Sequence, residues 1–99
     1  MFIAIRRYTT TGVNLDELKS SLNSDFLPKV AEVPGFSAYY AIDSGEKELA
    51  TVSIFETREG EQASTKIAAE YVAKFFPGKL DRISLNEGET LVDKAVARV

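Results

Sequence analysis

The chain has 99 residues, 44% of them hydrophobic and 27% charged, with a formal net charge of -3. That is the composition of one globular domain spanning residues 1–99. An acidic balance in which Arg6-Arg7 is the only adjacent basic pair argues against a nucleic-acid backbone as partner. With neither Cys nor His in the chain, there are no disulfides, thiol nucleophiles or thiolate metal sites, and the commonest general base and metal ligand is missing.

Residues 2–8 alternate as a strand, with Ile3, Ile5 and Arg7 on one face and Phe2, Ala4, Arg6 and Tyr8 on the other. The start, Met1 to Arg7, lacks the basic-then-apolar pattern of a secretory leader. No apolar run approaches the roughly 18 residues of a membrane span. A cytoplasmic protein without a membrane partner is the expectation. Asn14 suits a helix N-cap, with Glu17 three residues on as in a capping box. Leu15, Leu18, Leu22, Phe26 and Val30 then follow at helical spacing. Pro28 breaks that pattern, because its ring clashes with the carbonyl of Ser24. This predicts a kink near Asn23–Asp25, with Ser24 or Asp25 capping a second piece.

Pro34-Gly35 ends the helix. Phe36–Ile42 is an aromatic-rich strand, and Asp43–Lys47 a turn. Leu49–Phe55 is the next strand, antiparallel to its predecessor. Its Ala50, Val52 and Ile54 face one way, and Leu49, Thr51, Ser53 and Phe55 the other. A second helix starts near Thr57, with Ala63, Ile67, Tyr71 and Phe75 as its buried stripe, and Phe76-Pro77-Gly78 stops it. After a connector and a turn at Asn86-Glu87-Gly88, a last strand is expected over roughly Glu89 to Val96.

The order is β-α-β-β-α-β, an α+β ferredoxin-like arrangement. Two helices cover one face of a four-stranded antiparallel sheet. Phe2, Phe36, Tyr39, Tyr40 and Phe55 place apolar bulk on both faces. A second copy, packed sheet to sheet, accounts for what the helices leave bare.

Val33-Pro34-Gly35-Phe36 running into Ser37-Ala38-Tyr39-Tyr40, the hairpin, Val52-Ser53-Ile54-Phe55-Glu56, the helix with Ala68-Ala69-Glu70-Tyr71-Val72, and Gly88-Glu89-Thr90-Leu91-Val92 together carry a resemblance. Nearly the whole chain resembles the dimeric α/β-barrel superfamily that includes the antibiotic biosynthesis monooxygenases. The resemblance implies a homodimer whose two sheets form a barrel, with pockets between sheet and helices. It also implies phenol-binding Asn, Trp, Arg and Tyr in the quinone-forming oxygenases, and a helical His in the haem-degrading relatives. This chain has neither His nor Trp, and Thr57-Arg58 stands where a Trp often follows the third strand. No cofactor and no metal are expected.

Arg6, Tyr8, Thr51 and Ser53 are polar positions on otherwise apolar strands, and they share a face if the first and third strands are neighbours. An Arg beside a phenol and two hydroxyls suits a small anionic or phenolic ligand; it equally suits a satisfied interface. Of Tyr39 and Tyr40, one at most faces the helices. Arg6, Tyr8 and Tyr40 are the catalytic candidates, and Tyr40, Thr51, Ser53, Tyr71 and Phe75 the ligand-binding ones. Asp16, Glu17, Glu59, Glu61 and Glu70 read as exposed helix carboxylates. Asp43, Glu46 and Glu48 are too irregular for a calcium loop. The functional expectation is a dimeric binder of a small aromatic or apolar ligand. The alternative is a cofactor-independent monooxygenase acting on a small phenolic or polyketide-like compound.

Overall fold

The computed structural model describes residues 1–95. Four strands form one antiparallel sheet in the order β2-β3-β1-β4. They are β1 (Phe2–Thr10), β2 (Phe36–Gly45), β3 (Glu48–Phe55) and β4 (Leu80–Glu89). The helices α1 (Leu15–Ser21), α2 (Leu27–Ala31) and α3 (Arg58–Phe75) cover one face. This is the expected β-α-β-β-α-β order, with α1 and α2 as two pieces of the first helical unit.

Between those pieces, Leu22–Phe26 forms a π-helical turn in which the Leu27 N–H donates to the Leu22 carbonyl. The sequence predicts a kink here, and widening by one residue is how the chain makes room for the Pro28 ring. The expected cap does not form. Ser24 Oγ instead donates to the Ser20 carbonyl (3.0 Å), and Asn23 Nδ2 donates to the Lys19 carbonyl (2.9 Å). Side chains thus satisfy carbonyls at the start of the wide turn. The Asn14 cap is as expected, its side chain accepting from the Glu17 N–H at 3.1 Å.

Thr57 caps α3 by accepting from the Gly60 N–H (3.0 Å). Gly60 is required by packing: a Cβ there would lie 2.7 Å from Phe55 Cδ1 and 2.9 Å from the Pro34 carbonyl oxygen. Gly35, at φ +84°, turns the chain into β2, and its carbonyl accepts from the Glu56 N–H at 2.8 Å. The hairpin between β2 and β3 is longer than expected. β2 runs on to Gly45, and Glu46 and Lys47 alone make the turn, both with left-handed backbone.

The last strand lies earlier than the sequence suggests. Leu80–Glu89 pairs with β1, so Asn86, Glu87 and Gly88 are in the strand rather than in a turn ahead of it. Leu91 is 100% exposed, and Val96 falls outside the described residues. β4 is an edge strand, which tolerates polar residues that would be costly in the middle of a sheet. The buried stripe of α3 is also rotated from expectation. Glu61, Ser64, Ala68 and Tyr71 face the sheet, while Ala63 is half-buried and Phe75 exposed. Tyr8, Leu18, Phe26, Val30, Leu49 and Phe55 anchor the core between helices and sheet. Among the described residues, no helix is long and apolar enough to cross a membrane.

Candidate functional site

The site grows from strand register. Arg6 pairs with Thr51, and Ala4 with Ser53, so β1 and β3 present Arg6, Tyr8, Thr51 and Ser53 on the helix-covered face. Arg6 is 1% exposed. Its Nε donates to Thr51 Oγ1 (3.3 Å) and its Nη2 to Ser53 Oγ (2.5 Å). Nη1 donates to Thr65 Oγ1 (2.9 Å) and Ser64 Oγ (3.4 Å) on α3. Four neutral hydroxyls thus hold a buried cation. Burial pulls its pKa down, opposed by the negative potential of Tyr8, Tyr39 and Glu61.

Glu61, read from the sequence as exposed, is 1% exposed. It occupies the first turn of α3, where the helix dipole favours a carboxylate. Its Oε2 is buried with no hydrogen-bond partner among the described residues. Burial first, and the Glu87 carboxyl on β4 next, push its pKa up to about 7, while Arg6 and Arg58 pull the other way.

Beside this cluster, three phenols converge. Tyr8, Tyr39 and Tyr71, with Thr51 and the apolar side chains of Leu18, Leu22 and Leu49, enclose a void of about 20 Å³, room for one water molecule. Burial raises the pKa of all three phenols, and the nearby Arg6 charge only partly offsets this for Tyr8 and Tyr39. Tyr71 donates to Ser21 Oγ (2.7 Å), which donates to Asp25 Oδ2 (2.9 Å). The void adjoins a groove of about 400 Å³ between α1, the π turn and strands β2 and β3. Leu15, Leu18, Leu22, Leu27 and Leu49 line the groove, Tyr39 stands where it meets the void, and Asp16, Lys19, Asn23 and Asp43 supply its polar lining.

The structure therefore brings together Arg6, Tyr8, Thr51, Ser53 and Tyr71. It sets Tyr40 apart, since Tyr40 pairs with Val52 on the helix-free face and is 53% exposed. A register shift between Phe36 and Ala38 reverses the alternation, so that Tyr39, opposite Ser53, is the phenol that joins the site. Phe75 packs on Tyr71 (ring centroids 5.2 Å apart) but lines an outer recess with Lys74 and Glu70 rather than the void. Sequence reasoning weighed Tyr39 but chose Tyr40, and it missed Glu61, Ser64 and Thr65. The spacing 61, 64, 68, 71 is a helical stripe visible in the sequence, hidden by treating its polar members as solvent-facing.

A four-stranded antiparallel sheet with helices on one face recurs among solved structures. A candidate antibiotic biosynthesis monooxygenase from Chloroflexus aurantiacus superposes with a TM-score of 0.69 at 14% identity, covering 97% of this chain and 98% of that one. The chain has the antibiotic biosynthesis monooxygenase-like fold. The same fold is shared with the NE2512 protein of unknown function from Nitrosomonas europaea, with a TM-score of 0.71 at 24% identity, covering 98% and 95% of the two chains. MupZ from Pseudomonas fluorescens matches with a TM-score of 0.70 at 15% identity over 87% of this chain, which spans only 65% of MupZ. No protein-family model and no curated protein matches the sequence. In this chain the phenol-lined void and the leucine-lined groove lie between that sheet and its helices.

Proposed function

We propose that this protein binds a small aromatic or apolar molecule in the leucine-lined groove, as a homodimer joined through the helix-free faces of its sheets. The groove carries the reading. Its roughly 400 Å³ lies in the range of small-molecule sites, with apolar walls and one phenol at the inner end. A flat aromatic ligand fits walls of this kind, and the Tyr39 ring offers it an edge or a face. The fold it shares with the monooxygenase-like structures supports a ligand between sheet and helices.

The test is a thermal-shift screen with quinones and uncharged aromatic compounds on wild type and on Leu22→Trp, which fills the groove. A ligand at a hundred times its Kd raises Tm by more than about 10 °C in a domain of this size. That rise is expected in wild type and not in the variant. A flat response across the panel, or an equal rise in both proteins, refutes groove binding.

One observation favours a second reading, cofactor-independent oxygenation of a small phenolic or polyketide-like compound: three phenols line a small void close to the buried Arg6 guanidinium. Carbanion chemistry with dioxygen needs a proton acceptor at the substrate. Every phenol here has its pKa pushed up, so none is a phenolate at neutral pH. Binding is therefore the better-supported function. Oxygen uptake with hydroquinones and anthrones, compared between wild type and Tyr39→Phe, decides the matter. Turnover that Tyr39→Phe abolishes establishes the oxygenase, and none in either protein removes it.

A further inference from the structure

A second recess, of about 350 Å³, opens between α3 and β4, where Tyr8 forms part of its wall. Ala69, Val72 and Ala73 on α3, Pro77 after it and Leu80 at the start of β4 make its walls apolar. Arg82 is the single charged side chain that lines it, and no carboxylate does. Arg82 reaches this face through an irregularity. Arg7 lies opposite Ser84 but Tyr8 opposite Arg82, so Ile83 is an extra residue in β4. Unbroken alternation would place Ile83 opposite Tyr8 and turn Arg82 to the helix-free side; the bulge re-aims it.

The ion pairs among the described residues are Met1–Asp93 and Arg7–Glu48, so Arg82 has no carboxylate within reach there. Its charge opposes that of buried Arg6 and is felt at Tyr8. A guanidinium over apolar walls, with no anion in the lining, is a surface that an anion with a hydrocarbon body completes. A carboxylate matches the planar fork of Arg with two parallel hydrogen bonds. A phosphate dianion would need a further cation or donor, and no other charged side chain lines this recess.

We infer that this recess is a separate binding site for a small apolar monocarboxylic acid, its carboxylate on Arg82 and its hydrocarbon against the alanines of α3. The inference does not depend on the groove being occupied.

Titration calorimetry with benzoate and octanoate, against their amides as uncharged controls, tests it. Wild type is expected to bind the acids at least about tenfold more tightly than the amides. Arg82→Gln is expected to weaken the acids by about the same factor and leave the amides unchanged. Arg82→Lys, which keeps the charge without the fork, should fall between the two. Leu22→Trp in the groove should leave acid binding as it is. The inference fails if acids and amides bind alike, if Arg82→Gln binds as wild type does, if Leu22→Trp abolishes acid binding, or if the acids do not bind at about 10 mM. Unchanged thermal unfolding of Arg82→Gln, whose side chain is exposed, confirms that any loss is local.

Discussion

At the scale of single residues, the protein keeps two charged groups out of water and treats them differently. Arg6 stays a cation because four hydroxyls from β3 and α3 accept its hydrogen bonds, which offsets part of a desolvation cost of several kcal/mol. Glu61 has no such set of partners, and its buried Oε2 is left bare. A neutral acid suits that environment better than a carboxylate. With the folded pKa raised from 4.5 to about 7, the folded state binds an extra proton between those values. The stability this contributes is complete below the unfolded pKa and is lost as pH rises through 7. Unfolding in urea should therefore show a fall of about 2–3 kcal/mol between pH 4.5 and pH 8. Glu61→Gln, neutral at every pH, should flatten the profile. Glu87 faces the same carboxyl from β4, and Arg6 and Arg58 from β1 and α3; a slope that persists in Glu61→Gln would show that Glu61 is not its source.

At the scale of elements, the start of α3 shows how tightly the helix is set against the sheet. Thr57 caps it, Arg58 lies over the Phe2 ring at 5.1 Å, and Gly60 passes beside Phe55 and the Pro34 carbonyl. In an exposed helix, Gly→Ala is worth about 1 kcal/mol in favour of alanine. Here the added methyl meets a backbone oxygen that cannot step aside, and overpacking costs about 1–3 kcal/mol. Gly60→Ala is expected to lower the urea midpoint; a higher midpoint would mean that α3 can lift off the sheet freely. The π turn belongs to the same scale. It lets one leucine-lined wall continue past Pro28, and Ser21 and Asp25 at its edges hold the Tyr71 hydroxyl chain.

At the scale of the whole molecule, the sheet is unequally covered. The helix-free face carries Ile3, Ile5, Ala38, Tyr40, Ile42, Val52 and Ile54, with Ile5, Tyr40 and Ile42 exposed. In the proposed homodimer this apolar surface would form the interface. A second copy of the chain brings the same surface, as a two-fold contact requires. Sedimentation at micromolar concentration is expected to give a dimer for wild type and a monomer for Tyr40→Lys combined with Ile5→Lys. A monomeric wild type would overturn the dimer while leaving the groove intact, because the groove lies on the opposite face.

Local pattern was enough to order the elements. Leucines at helical spacing, the Asn14 and Thr57 caps and the Pro-Gly stops are short-range signals, and each acts on the residues next to it. Alternation along β1 and β3 likewise put Arg6, Tyr8, Thr51 and Ser53 on a common face, because both strands run without a bulge against each other. What the chain alone left undecided depends on contacts between residues far apart. A slip at the start of β2 exchanges Tyr40 for Tyr39, and one in β4 turns Arg82 inward; either is set by the partner strand. The polar edge strand β4 exists because β1 offers it a ladder, not because Asp81, Asn86 or Gly88 favour extension. Glu61 and Ser64 look like surface residues until α3 is laid on the sheet. Period and capping are properties of neighbours in sequence, whereas register and burial belong to the assembled fold, and the tertiary structure alone decided which phenol, carboxyl and guanidinium meet.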